Sequence, residues 1–287
     1  MGLLLVIVFW GLGPSFTKAI TVTPPLAAFA RFGVSIPLLM VLVYVRGGRM
    51  TAALFRRTAL PGLAFGVNLM FVFAALAEVT VAILAVVVAL QPALLLVLAG
   101  PVLNERPTRA HAAWTLVGVA AVAGVILGSG GEVGASAVGV LLALMALLSF
   151  TVYFVLTRIA RAGDDVDPIQ WMAGVNVWAW AAAIPVVMAM VRGDELAEFG
   201  GRDLLWILAL GWITGVMGHV LMSWVHGYIE ASRSSLYLLG WNVVAVFVAW
   251  PAHGETVTLL QVVCGAVVLI AVAAVIRIPA ASAPAST

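Results

Sequence analysis

Pro101-Val102-Leu103-Asn104-Glu105 closes one apolar stretch of this chain, and Pro251-Ala252-His253-Gly254-Glu255 closes another 150 residues later, with Thr108 returning as Thr258. The same offset lays residues 75–108 over 225–258 without a gap. An offset one residue smaller lays Gly62 and Gly66 over Gly211 and Gly215. Each copy carries five hydrophobic spans. An odd number of crossings sends the second copy through a bilayer upside down, the inverted-repeat arrangement on which many secondary transporters are built.

Composition supports a membrane setting. With 64% hydrophobic and 9% charged residues, the chain has too little polar surface to coat a soluble globule of 287 residues. A spanning helix needs about 20 apolar residues, so this length holds about ten spans with short connections and leaves no room for a soluble domain. Lys18 is the only lysine, and Thr17 precedes it, so no Walker-type phosphate loop exists. Neither ATP nor nucleic acid is expected as a partner, and no cofactor or metal is expected. The single cysteine, Cys264, lies in the last span and reads as a packing residue. Met1-Gly2-Leu3 opens directly into hydrophobic sequence without a basic n-region, which predicts a retained first helix rather than a signal peptide.

The pattern predicts an all-α integral membrane protein whose ten transmembrane helices form two inverted five-helix repeats. The spans fall near 2–21, 26–45, 58–77, 80–99, 110–128, 138–160, 168–191, 204–226, 232–250 and 257–276. The first repeat is 1–128, an inter-repeat loop occupies 129–137, the second repeat is 138–278, and 279–287 reads as a disordered tail. Alternating the loops between faces collects Arg46, Arg49, Arg56, Arg57, Arg106, Arg109, Arg158, Arg161, Arg233 and Arg277 on one side. Arg192, Arg202 and Lys18 go to the other. That asymmetry predicts a cell-membrane protein with both termini cytoplasmic. Gly62-x-x-x-Gly66 and Gly211-x-x-x-Gly215 predict close helix packing at matching places in the two copies.

All twelve acidic residues fall in connections or at helix ends. No carboxylate is placed at mid-membrane, where ion-coupling acids belong, which leaves facilitated diffusion, exchange, or proton coupling through histidine. Lys18, ending span one, and Arg31, early in span two, are expected near the outer surface, where they could form a positive mouth for an anionic group. The alternatives are that Lys18 snorkels to headgroups and that Arg31 binds backbone carbonyls or Glu78. Gln91-Pro92 at the centre of span four aligns with Trp241-Asn242 at the centre of span nine. Proline frees a backbone carbonyl there, which makes Pro92 a candidate hinge and the two points candidate walls of a central site.

Asn68, Tyr153, Asn176, Trp178, Trp180 and Tyr237 lie at similar depth. Trp10, Trp178, Trp212, Trp224 and Trp241 lie deeper than Trp171, Trp206 and Trp250, which read as an interfacial belt. The candidate substrate-binding set is therefore Trp10, Lys18, Arg31, Asn68, Gln91, Tyr153, Asn176, Trp178, Tyr237, Trp241 and Asn242. His219, Ser223, His226 and Glu230 share one face of span eight, whereas their counterparts are Leu69, Phe73, Leu76 and Thr80. His219 and His226 are proton-relay candidates, with helix-to-helix hydrogen bonding as the other reading. They stand two turns apart, about 10 Å along the axis, too far to share a metal ion. The same face could serve an intramembrane enzyme, although no G-x-S-x-G elbow precedes any serine.

These residues resemble the EamA-type branch of the drug/metabolite transporter superfamily. Trp10-Gly11 followed by Lys18 is similar to that family's opening motif. Arg31-Phe32 after Pro25 matches its arginine, and Pro92, Glu105 and Glu255 match its proline and post-helix acids. The resemblance covers essentially the whole chain. It implies two five-helix bundles and export or exchange of small metabolites, amino acids or drugs by alternating access. The chain departs from the family at Asn242, where a proline is common, and at Phe150-Thr151, where tryptophan-glycine is common. A small zwitterionic or carboxylate metabolite with an apolar or aromatic part would suit the basic and aromatic residues.

Overall fold

The computed structural model describes residues 1–76, 78–79, 81–128, 136–162, 166–253 and 257–278. The expected tail at 279–287, most of the inter-repeat loop, Thr80 and Glu255 lie outside the described residues. Among those described, the chain is helical throughout and contains no strand. Its helices are α1 (Gly2–Lys18), α2 (Pro24–Val45), α3 (Ala52–Arg57), α4 (Ala59–Leu76), α5 (Val81–Val88), α6 (Gln91–Ala99), α7 (Arg109–Leu127) and α8 (Ala137–Ala162). They continue with α9 (Pro168–Met190), α10 (Gly193–Glu198), α11 (Gly201–Ala209), a wider π-helical segment (Leu210–Gly218), α12 (His219–Val225), α13 (Ala231–Leu238), α14 (Gly240–His253) and α15 (Leu259–Arg277).

Seven helical stretches are long and apolar enough to cross a membrane: Pro24–Val45, Arg109–Leu127, Ala137–Ala162, Pro168–Met190, Gly201–Val225, Ala231–Ala252 and Leu259–Arg277. Gly2–Lys18, Ala59–Val72 and Leu84–Ala99 are apolar but shorter. Helix positions follow the sequence reading closely. The short helices α3 and α10 were not expected; they occupy connections, α3 being closed at its start by the Thr51 hydroxyl, which accepts from Leu54 N at 3.2 Å.

Two spans are discontinuous, at equivalent places. Span four breaks between α5 and α6, because Pro92 has no N–H to offer the carbonyl of Val88. Span nine breaks between α13 and α14 at Leu239 without a proline. There the Asn242 carboxamide donates to Leu239 O at 3.2 Å, and Asn242 N reaches the same oxygen at 3.2 Å, so a side-chain turn replaces the helical ladder. Asn242 thus keeps the break that proline makes in the first copy. Thr108 and Thr258 cap α7 and α15 in the same way, accepting from His111 N at 3.1 Å and Gln261 N at 3.2 Å.

Packing follows the same exchange. α4 packs on α8 and α9, and the span built from α11, the π segment and α12 packs on α1 and α2. α7 lies along α15, α2 along α9, and α6 against α13. Glycines permit the closest of these approaches. A Cβ on Gly62 would stand 2.7 Å from Val175 O, and one on Gly66 2.7 Å from Ala179 O. A Cβ on Gly211 would stand 3.0 Å from Arg31 O and 2.7 Å from the Val34 side chain. Both G-x-x-x-G faces therefore bring backbones together, one on α9 and the other on α2.

Candidate functional site

The deepest polar cluster is assembled from five helices. α1 supplies Trp10, α2 Arg31, α4 Phe65, α8 Phe150 and Tyr153, and α12 His219. The His219 ring lies 4.8 Å from the Trp10 ring and 4.8 Å from the Phe65 ring, and Phe65 stacks on Tyr153 at 4.6 Å. Trp10 and Phe150 meet at 6.5 Å. The Tyr153 hydroxyl lies 3.1 Å from His219 Nδ1 and 3.6 Å from Met172 Sδ. A neutral imidazole has one donor and one acceptor nitrogen, so if Tyr153 donates to Nδ1, the proton sits on Nε2 and faces away from the tyrosine.

The π segment borders this cluster. Its extra width and its glycines let α1 and α2 approach: a Cβ on Gly218 would fall 2.6 Å from Trp10 Nε1, and one on Gly215 would stand 3.6 Å from Arg31 Nε. Arg31 is half buried, its guanidinium 5.8 Å from the Phe32 ring and within electrostatic reach of Tyr153 and His219. Counting 1.5 Å per residue, it lies roughly 10 Å into α2.

Of the residues expected at a site, Trp10, Arg31, Tyr153 and His219 are thus gathered together. Lys18 is exposed at the end of α1. Glu78 accepts from the Ser136 hydroxyl at 2.8 Å. Asn68 ties α4 to α8, donating to Ala146 O at 2.8 Å, and Asn176 donates to Met172 O of its own helix at 2.8 Å. Trp178 points the other way, its Nε1 donating to Phe55 O at 2.8 Å. Tyr237 packs among Val119, Val122 and Val268, on the scaffold formed by α7 and α15. Gln91 is buried with Nε2 unpartnered beside the span-four break, and Trp241 packs near Val6 and Leu95. Which way each of these side chains faces was not legible from sequence.

The span-eight stripe is not linked into a relay. Both ring nitrogens of His226 and the Ser223 hydroxyl are buried without hydrogen-bond partners, and His226 packs edge-on against Phe154 at 4.3 Å. Glu230 instead holds Arg233, at 2.7 Å. Ser223 makes no bond to either histidine, so a nucleophile–base pair is not formed. Trp171 departs from the expected interfacial belt: it is buried, and its Nε1 donates to Thr157 Oγ1 at 3.2 Å. Trp212 and Trp224 are exposed on the outside of the bundle.

Sequence reading missed the work done by Glu105. Only 5% exposed, it accepts from Ala231 N at 2.7 Å and from Ser232 N at 3.1 Å. It also accepts from Ser232 Oγ at 2.8 Å and Arg158 Nε at 3.3 Å. The carboxylate thereby caps α13 from the other copy, where unpaired N–H groups and the helix dipole favour a negative charge. Asn104, at φ 56°, turns the chain left-handed immediately before it, a conformation asparagine tolerates better than most residues. Arg158 also donates to His226 O, and Arg161 Nε donates to Ser223 O at 3.1 Å. This knot closes the arginine-rich face of the bundle. On the opposite face, Asp203 accepts from Thr21 N at 2.8 Å and Thr21 Oγ1 at 2.7 Å, and Glu195 accepts from Thr23 N at 2.7 Å.

Comparison with known proteins agrees with this architecture. A protein of known crystal structure superimposes with a TM-score of 0.81 over 96% of each chain at 20% identity, a likeness of fold. An uncharacterized transporter from Bacillus subtilis (strain 168), YdfC, is 27% identical over 130 residues. That match covers 45% of this chain and 41% of the Bacillus protein, so the shared region spans under half of either. The model of the EamA-like transporter family matches residues 1–127 and again 137–277. With nearly its whole length matched in two stretches, the chain belongs to the EamA-like transporter family, within the drug/metabolite transporter superfamily.

Proposed function

We propose that this protein is a secondary transporter that moves a small metabolite by alternating access, through a site between two inverted five-helix halves. Ten crossings, with both termini cytoplasmic, follow from the odd span count of each copy and the arginine-rich face. The two family matches, the paired breaks at Leu90 and Leu239, and the exchange of packing partners between copies support that reading.

The observation that carries it is the cluster of Trp10, Phe65, Phe150, Tyr153 and His219. It draws on both copies, and the span-eight glycines set its width. Aromatic walls accept a planar or apolar group, while the Tyr153–His219 pair offers a polar anchor. In this reading Glu105, Arg158 and the start of α13 form the cytoplasmic closure. Rocking about the Pro92 and Asn242 breaks opens it as the outer contacts close.

The test is counterflow in proteoliposomes across a panel of amino acids, organic acids and organic cations, with and without a pH gradient. Exchange that disappears in His219→Ala and falls in Tyr153→Phe, with protein incorporation unchanged, is expected. Exchange indifferent to both substitutions would remove the site. A gradient dependence abolished by His226→Ala would restore the relay along span eight.

A further inference from the structure

The cluster contains a charge with no counter-charge of its own. Among the described residues, the Arg31 side chain makes no hydrogen bond or ion pair, so its five N–H donors have no protein acceptor. No acidic residue of the chain lies within a span interior. An ionised group held about 10 Å inside a helix that crosses a bilayer is costly, and such groups mark substrate paths or pair with one another.

Two further donors face the same place. Trp10 Nε1 is buried without an acceptor and lies against Gly218. Arg31 Nε lies against Gly215, three residues back along the same segment, so both donors border the π segment. His219 Nε2 has no hydrogen-bond partner among the described residues, and its Nδ1 is taken up by Tyr153. Arg31 and Trp10 supply donors, His219 Nε2 adds a third when its Nδ1 accepts from Tyr153, and Phe65 and Phe150 supply an aromatic side.

Resting on the transport reading above, we propose that the carried substrate is an organic anion whose carboxylate sits on Arg31 and whose planar or apolar part lies between Trp10, Phe65 and Phe150. A guanidinium matches a carboxylate in bidentate geometry, and removing water from the pair strengthens it. Organic cations meet an uncompensated positive charge and are excluded.

The test uses phenylacetate, phenethylamine and phenylethanol as probes of one shape and three charges. Thermal unfolding of the purified protein in detergent is measured for wild type, Arg31→Gln and Arg31→Lys, with exposed Arg202→Gln as a control. Phenylacetate is expected to raise the melting temperature of wild type and of Arg202→Gln, and phenethylamine to leave both unchanged. Arg31→Gln is expected to melt at or above wild type without probe, and to bind phenylacetate roughly ten- to hundredfold more weakly, with Arg31→Lys between them. An Arg31→Gln protein that loses stability yet keeps its phenylacetate response would make Arg31 structural and overturn the proposal. So would wild type stabilised equally by the amine, or by none of the probes. In counterflow, wild-type exchange of phenethylamine but not phenylacetate would leave transport standing and remove the anion. Exchange of neither probe would count against both.

Discussion

Spans three and eight both pack through a G-x-x-x-G face, yet only span eight brings a histidine against a tyrosine of another helix. Each presents a G-x-x-x-G face, Gly62 and Gly66 on α9, Gly211 and Gly215 on α2. In span three the backbone continues as one α-helix, and the positions matching His219 and His226 are Leu69 and Leu76. In span eight the helix widens into a π turn and presents His219 to Tyr153. The backbone contacts are alike while the side chains beside them differ. The packing interface and the binding interface can therefore be separated by mutation.

The largest effect is expected where the copies lock together. Glu105→Ala removes the acceptor that caps α13 and leaves Arg158 without its carboxylate, so unfolding in detergent should become easier by about 3 kcal/mol. Glu105→Gln, which still accepts from backbone N–H, should lose less. Equal melting of all three proteins would mean that the knot contributes nothing.

The glycine faces come next. A methyl on Gly66 meets Ala179 O at 2.7 Å, backbone against backbone, so Gly66→Ala should cost about 1–3 kcal/mol. A methyl on Gly215 meets Leu210 O and the Ser35 hydroxyl no closer than 3.4 Å, which is ordinary contact. Gly215→Ala should therefore fold normally and act on transport, because the methyl enters the space beside Arg31. Matched thermal melts and counterflow rates on the two variants would reveal a reversed order, which would mean that span eight, not span three, is the structural member.

Within the cluster, Tyr153→Phe deletes one hydrogen bond to His219, worth about 1 kcal/mol, and should lower the transport rate severalfold without changing the yield of folded protein. The smallest effect belongs to Asn68. Its carboxamide bridges α4 to Ala146 O, so Asn68→Ala should lower the melting temperature slightly, by about 1 kcal/mol of stability, and leave the substrate KM unchanged. A raised KM would return Asn68 to the pathway.

How much of this was legible depended on what each residue's signal encodes. Helix positions could be read because a span is an apolar run bounded by charge, and Thr108 and Thr258 announce their caps in type and position. Gln91-Pro92 and Trp241-Asn242 located both breaks, since proline lacks a donor and asparagine can bond its own backbone. The π turn carried no such mark: Gly211, Gly215 and Gly218 fit an ordinary packing face equally well, and only the approach of Trp10 and Arg31 makes width necessary. Trp178, Tyr237 and Asn176 face α3, the α7–α15 scaffold and their own helix, because rotation about a helix axis is set by its neighbours. Glu105 looked like a loop acid. Its burial depends on the Asn104 turn and on a helix start 126 residues away, which no local pattern reveals.

The account depends on two copies of one five-helix unit lying in opposite orientations. In a Cys264→Ala background, single cysteines at Arg57 and Arg202 are to be labelled in intact cells with a membrane-impermeant maleimide. Reaction at position 202 and protection at position 57 until the membrane is opened is the predicted result. Labelling of both from the same side would contradict it.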